Sequence, residues 1–140
     1  MGEFERCLKL RRLVPFSASQ EMVQKEVQAA RHDLDASSMS LEHGNDKWAS
    51  IQAYYSMFHC AKALVHAKGY REKGHACLLV ALRELYIKTG EMDKVRADDL
   101  EMAMDLRLEA DYGLVYSDEG ARLAIEMAAE MLEATTDLIG

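Results

Sequence analysis

A guanidinium, a carboxylate and a phenol lie close together near the end of one predicted helix, on Arg107, Asp111 and Tyr112. Arg107 and Asp111 are four residues apart, so their side chains share one helix face and can form an ion pair. Gly113 follows directly and favours the end of the helix at this point. Such a pair can also be purely stabilising and contribute roughly a few tenths of a kcal/mol. The residue types therefore leave a functional and a structural interpretation open.

The other histidines and carboxylates do not form a metal-binding pattern. A di-iron helical bundle uses Glu-x-x-His, because residues i and i+3 share a helix face. The only match, from Glu72 to His75, lies in a glycine-containing connector, and His59 and His66 have Lys62 between them. The chain has no phosphate-binding glycine loop and no Gly-x-Ser-x-Gly motif. We therefore expect no metal site and no cofactor.

The elements that must position these residues are helices. From Trp48 to Ala67 the only formally charged side chain is Lys62, and two adjacent apolar stripes make this segment the expected central helix. Residues 1–16 are predicted to be a short lead-in and residues 17–140 a single all-α domain, an antiparallel bundle of four to five helices with short loops. The predicted helices run over about 17–43, 47–68, 75–89, 93–112 and from 117 to the end, with Ser17 and Ser117 as N-caps.

The charge is uneven along the chain. The net charge is −7, but residues 1–73 carry 11 basic and 9 acidic side chains whereas residues 74–140 carry 6 and 15. A protein that bound nucleic acid over its whole surface would be basic overall, so any RNA contact must use a local patch. A basic cluster near the start is interpreted as a solvated lead-in rather than a nucleic-acid-contacting arm; it comprises Arg6, Lys9, Arg11 and Arg12.

Cysteine usage and hydropathy suggest a cytoplasmic protein without a membrane partner. Cys7, Cys60 and Cys77 are an odd number with no Cys-x-x-Cys spacing, and Cys60 lies inside the apolar central segment, where a buried thiol is expected. The charged start does not resemble a signal peptide, and no apolar run is long enough to cross a bilayer.

Several motifs together resemble small prokaryotic HEPN-domain proteins over about residues 20–138. They are Tyr54-Tyr55-Ser-Met-Phe58-His59-Cys-Ala61-Lys62-Ala63-Leu64, Lys68-Gly69-Tyr70, Lys73-Gly74-His75 and Arg107-x-x-x-Asp111-Tyr112-Gly113. The resemblance implies a bundle of four to five helices that forms a homodimer and associates with RNA or nucleotides. It also implies a partner of the minimal nucleotidyltransferase type, acting as antitoxin in a toxin–antitoxin pair.

In ribonuclease members of that family, an arginine is followed after four to six residues by a histidine. The arginine would bind the scissile phosphate and the histidine would transfer a proton to or from the ribose 2′-hydroxyl, without metal. Arg107 matches the arginine, but Tyr112 stands after the four-residue spacer and no histidine follows His75. A tyrosine, with a pKa of about 10, is a poor base near neutral pH, and pairing with Arg107 would weaken Asp111 as a base.

Three functions follow as hypotheses. The first is a catalytically weak dimeric module that binds RNA, a nucleotide or a nucleotidyltransferase partner through a cleft with Arg107, Asp111 and Tyr112. In this hypothesis Arg71, Lys73 and His75 add basic surface. The second is a metal-independent ribonuclease toxin that uses Arg107 with Asp111 or Tyr112, or with His75. The third is a purely structural helical interaction module. The resemblance also implies that a partner enzyme could attach a nucleotide to Tyr112.

Homodimerisation is expected from the residues as well as from the resemblance. The two adjacent apolar stripes of the central helix, with Met- and Ala-rich flanking helices, make more apolar surface than a small bundle readily covers from one side.

Overall fold

A computed structural model of the chain describes residues 1–112 and 116–140, and the side chains of residues 1–107 and 116–140. This part of the chain contains six α-helices and two short strands, so the all-α bundle expected from the sequence is confirmed. In chain order they are α1 (Glu3–Lys9), β1 (Leu13–Pro15), α2 (Gln20–Glu42), α3 (Asp46–Ala67), β2 (Tyr70–Glu72), α4 (His75–Leu82), a π-helical turn (Arg83–Ile87), α5 (Lys94–Tyr112) and α6 (Asp118–Ile139).

Helix α3 is the centre of the bundle, as its hydropathy predicts. It packs most extensively against α2, α6 and α5, and it also contacts α4 and β2. Most of its side chains are buried, including Tyr54, Met57 and Leu64, which have no exposed surface. The two apolar stripes are therefore largely covered within one copy of the chain, and they do not require a second copy to be buried.

Local signals determine where the helices begin and end. Ser117 caps α6, its Oγ accepting a hydrogen bond from Gly120 N at 3.0 Å, as predicted. Gly69 follows α3 with a φ of 90°, a left-handed conformation that favours glycine. The predicted N-cap of α2 is wrong, because Ser19 rather than Ser17 accepts the hydrogen bond from Met22 N at 3.1 Å.

The first sixteen residues fold onto the bundle. Strand β1 pairs antiparallel with β2, with Leu13 opposite Glu72 and Val14 opposite Arg71. Cys7 of α1 is joined to Cys77 of α4 by a disulfide bond, while Cys60 is a free, buried thiol as expected. The segment Tyr70–Glu72, which was not predicted to be a strand, is thus one strand of a two-stranded ribbon. Neither strand has enough residues to show a period of two, and their pairing joins residues far apart in the sequence.

Candidate functional site

Two tyrosine rings of α3 support the predicted site arginine. The guanidinium carbon of Arg107, on α5, lies 5.5 Å from the ring centroid of Tyr54 and 5.8 Å from that of Tyr55. A guanidinium at this distance from an aromatic ring is attracted to its π electrons. Tyr54 is fully buried and Tyr55 is half-buried. The two rings hold the guanidinium of Arg107 at the edge of the core.

His75 lies beside the same ring. The hydroxyl of Tyr54 and Nδ1 of His75 are 2.5 Å apart, within hydrogen-bond distance, and the His75 ring packs against Phe58 with a centroid separation of 4.4 Å. His75 is the first residue of α4, so the chain path of α4 brings its imidazole to α3. We call the group of Arg107, Tyr54, Tyr55 and His75 the Arg107 site.

The surroundings favour a neutral imidazole on His75. Partial burial lowers its pKa, and the positive charges of Arg107 and Lys62 lower it further. Burial raises the pKa of the Tyr54 phenol well above its usual value, although the charge of Arg107 opposes that rise. Near neutral pH both groups are therefore uncharged, and the imidazole is in the form that can accept a proton.

A second polar group lies further along α3. Nδ1 of His59 lies 2.7 Å from a carboxylate oxygen of Glu26, and Nε2 of the same ring lies 3.5 Å from Asp33. Nζ of Lys62 lies 3.6 Å from Glu26. Burial favours the protonated form of Glu26, but the His59 hydrogen bond and the Lys62 charge outweigh it and hold the pKa of that carboxyl below its usual value. We call Glu26, Asp33, His59 and Lys62 the Glu26 cluster.

The predicted site residues fall into three groups in the structure. His75 is close to Arg107 through Tyr54, although the two are 32 residues apart in the sequence. Arg71 and Lys73 are exposed on and beside strand β2. The side chains of Asp111 and Tyr112 lie outside the described residues, so their predicted roles stay predictions.

Tyr54 and Tyr55 are the site residues that reasoning from the sequence missed. Both belong to the motif of the central segment, but helical periodicity places them only on apolar stripes. The available signal was their hydroxyl groups, because a buried tyrosine normally finds a hydrogen-bond partner.

The described residues form neither a metal-binding cluster nor a membrane-spanning helix. Within 1–107 and 116–140, no three His, Cys, Asp or Glu side chains are arranged so that they could hold a metal ion. None of the helices in the described part of the chain combines the length and apolar character needed to cross a membrane.

Comparison with known proteins gives consistent matches. The family model described as "HEPN domain" matches residues 23–138. A Methanocaldococcus jannaschii protein named "Putative toxin MJ0605" is 28% identical over 111 residues, covering 79% of this chain and 83% of that protein. A UPF0332 protein of Thermotoga maritima is 29% identical over 112 residues, covering 79% and 85%. The crystal structure of TT1696 from Thermus thermophilus superposes with a TM-score of 0.70 at 18% identity, covering 82% of this chain and 96% of that one, and this supports the fold alone.

Proposed function

The chain belongs to the HEPN domain family, and on that premise we propose that it binds RNA at the Arg107 site. The observation that carries this function is the placement of the Arg107 guanidinium against two tyrosine rings with a neutral histidine beside it. A guanidinium donates two parallel hydrogen bonds to a phosphate, and aromatic rings beside it offer a surface on which a base can stack. Tyr55 and Phe58 are both half-buried, so each ring keeps an accessible edge or face.

The electrostatics of the described residues support an anionic ligand. Besides partial burial, the positive charges of Arg107 and Lys62 lower the pKa of His75, so a negative charge beside this imidazole would be stabilised. The first turn of α4 begins at His75, and its N-cap, Gly74, has no side chain that could cap the helix. Backbone N–H groups in a first turn without a side-chain cap add partial positive charge beside the histidine. A phosphate between Arg107 and the start of α4 would face these groups together.

Cleavage of RNA is the second candidate function, and the contact between Tyr54 and His75 favours it. In the tautomer whose Nδ1–H donates to the Tyr54 oxygen, Nε2 carries a lone pair that can accept the proton of a ribose 2′-hydroxyl. The 2′ oxygen then bonds to phosphorus while the bond to the 5′ oxygen breaks, and solvent protonates the departing oxygen. Arg107 would stabilise the charge on the phosphate in this step. His75 would thereby supply the histidine that is absent after Arg107 in chain order.

The assembly that belongs with this function is a homodimer in a toxin–antitoxin pair. The relative named "Putative toxin MJ0605" supports that context, and the family resemblance supports both a second copy and a nucleotidyltransferase antitoxin. In this proposal two Arg107 sites face one cleft, so one RNA strand contacts both copies.

Binding and cleavage are tested with Arg107→Ala and His75→Gln beside the matched control Arg122→Ala. Arg122 is an exposed arginine of α6 that pairs with Asp118 one turn away. The measurements are fluorescence anisotropy with a labelled single-stranded RNA and gel analysis of the same RNA in EDTA. Removing a charged hydrogen-bond donor should weaken binding roughly ten- to a hundredfold in Arg107→Ala and leave the Arg122→Ala protein unchanged.

The His75→Gln protein separates the two candidate functions. Retained binding with lost cleavage supports the ribonuclease, whereas no cleavage even by the unmodified protein supports a binding module. Thermal melting of each variant shows whether it is folded. If Arg107→Ala melts at a much lower temperature than the unmodified protein, Arg107→Lys, which keeps the positive charge, is used in its place. If the Arg107 variants bind RNA as the control does and differ only in melting temperature, Arg107 has a structural role and the proposed function is wrong.

A further inference from the structure

We infer that the two-stranded ribbon is a second RNA-contacting surface that extends the Arg107 site. This inference rests on the proposed function and specifies its ligand as an RNA strand several nucleotides long rather than a mononucleotide. The basic ribbon is defined as Arg12, Arg71 and Lys73, the three cations on or beside β1 and β2.

The strand register places these three cations on one face. Val14 is opposite Arg71, so Arg12 is opposite Lys73, and Lys73 N–H donates a hydrogen bond of 2.8 Å to the Arg12 carbonyl. Because side chains alternate along a strand, Arg12, Arg71 and Lys73 share the face opposite to Leu13 and Glu72. All three are exposed, whereas Leu13 is buried in the core.

No acidic side chain opposes the basic ribbon. Between residues 11 and 16 and between 70 and 73 the sequence contains one carboxylate, Glu72, which faces inward with about 10% of its side chain exposed. Burial raises the pKa of that carboxyl, which favours its uncharged form. Among the described side chains, no carboxylate lies within 4.0 Å of the cationic nitrogens of Arg12, Arg71 or Lys73. By contrast, Lys25, Lys88 and Arg122 each pair with a carboxylate four residues away.

The ribbon is anchored to the bundle by a disulfide bond and by ring contacts. The Cys7–Cys77 disulfide ties α1 to α4, and the rings of Phe4 and Tyr70 pack edge to face at 5.5 Å. The guanidinium carbon of Arg71 lies 5.5 Å from the Phe16 ring centroid. Cations held in place before binding lose less conformational entropy when they contact a ligand than cations on a mobile tail.

The basic ribbon adjoins the Arg107 site along the chain. Lys73 is two residues before His75, so their Cα atoms are at most about 7 Å apart. A strand with one phosphate at Arg107 can therefore pass His75 and place its next phosphates on Lys73, Arg71 and Arg12. The acidic second half of the chain repels a polyanion elsewhere, which favours this path. Arg12 lies outside residues 23–138, so this half of the ribbon is not part of the matched family domain.

The test compares Arg12→Gln/Lys73→Gln with the control Lys25→Gln/Lys88→Gln, which removes the same charge from exposed lysines of α2 and the segment after the π turn. The probes are a labelled 20-nucleotide single-stranded RNA and a labelled dinucleotide with a single phosphate, each titrated over a salt series. The ribbon variant should bind the 20-mer roughly tenfold more weakly, with a salt slope lower by about 1.4, because each phosphate contact on a single strand contributes about 0.7. Its affinity for the dinucleotide, whose single phosphate occupies the Arg107 site, should equal that of the control.

The binding data distinguish failure of the ribbon inference from failure of the proposed function. If the ribbon variant binds the 20-mer as the control does while Arg107→Ala does not, the ribbon inference is wrong and the proposed function stands. If Arg107→Ala also binds both probes normally, the proposed function is wrong as well. Preferential binding of an acidic peptide such as poly-glutamate over the 20-mer, lost in the ribbon variant, would assign the surface to a protein partner and overturn the inference. Thermal melting shows whether the double variant is folded. If it is not, the single variant Lys73→Gln is tested in its place.

Discussion

The Arg107 site and the Glu26 cluster both place a histidine of the bundle beside a cation, yet their charges are arranged differently. In the Glu26 cluster, His59 contacts two carboxylates and Lys62 contacts one of them. In the Arg107 site, His75 contacts the neutral phenol of Tyr54, and the charges of Arg107 and Lys62 lower its pKa. A histidine surrounded by carboxylates satisfies its hydrogen bonds within the protein, whereas a neutral histidine near cations favours an anionic ligand. We infer that the first arrangement stabilises the bundle and the second serves binding.

Replacing Glu26 by Gln tests this difference with the largest expected effect on stability. The change removes the carboxylate that His59 and Lys62 both contact. Only about a quarter of each of these two side chains is exposed. The free energy of unfolding should fall by about 2 kcal/mol, since a partly buried cation loses its partner. Urea denaturation measures this loss.

The same variant also tests whether the Glu26 cluster influences RNA binding at the Arg107 site. Lys62 also acts on His75, so releasing it from Glu26 should make the surroundings of the Arg107 site more positive and raise RNA affinity about two- to threefold. The control is Glu21→Gln, which removes an exposed carboxylate of α2 paired with Lys25. An unchanged stability in Glu26→Gln would mean that the cluster is not structural.

Replacing Tyr54 by Phe has a smaller expected effect and isolates the hydroxyl that contacts His75. The loss of one partly buried hydrogen bond should lower the free energy of unfolding by about 1 kcal/mol. Tyr86→Phe is the matched control, because the Tyr86 hydroxyl donates a buried hydrogen bond of 2.6 Å to the Leu64 carbonyl. Both variants should lose similar stability in urea denaturation.

Only Tyr54→Phe should alter the Arg107 site. His75 would lose the contact that orients its ring, so the NMR signals of that imidazole should shift and any RNA cleavage should slow. Equal cleavage by the two tyrosine variants would show that Tyr54 does not position His75.

The pH dependence of stability gives the smallest expected effect. The pKa of His75 is below 6.5 in the folded protein, mainly through burial, so the unfolded chain takes up a proton first as the pH falls. The free energy of unfolding should therefore decrease as the pH falls below about 6.5 and level off below the folded pKa. Burial also lowers the pKa of His66, which adds an effect of the same sign.

His75→Gln separates the two histidines. Urea denaturation at several pH values between 5 and 8 should give a shallower decrease for His75→Gln than for the unmodified protein. His66 contributes to the remainder, and Glu72, whose pKa burial raises, opposes it. An identical pH profile for both proteins would contradict the depressed pKa of His75.

The helices could be predicted well because their signals are local. Each signal involves only neighbouring residues, so it can be read directly from the sequence. The signals are the N-cap Ser117 of α6, Gly69 after α3 and the apolar periodicity of α3. The N-cap of α2 was misassigned by two residues because Ser17 and Ser19 are both suitable capping residues.

The ribbon and the disulfide could not be predicted in the same way. β1 and β2 have three residues each and are separated by more than fifty residues, and Cys7 and Cys77 are 70 residues apart. Cysteine spacing without a Cys-x-x-Cys motif does not indicate a pairing. Because disulfides are rare in a reducing cytosol, this bond gives no support to the cytoplasmic location expected from the sequence, which stays a prediction.

By itself, the sequence determined the all-α class, the central helix and the arginine at the end of α5, because residue type and helical spacing are properties of neighbouring residues. Only the tertiary structure decided that His75 lies beside Arg107 and that Arg12 lies opposite Lys73. Both juxtapositions depend on how α4 and β1 dock on α3 and β2. Docking is determined by packing and pairing between segments that are distant in the chain, so it cannot be predicted from the pattern of neighbouring residues.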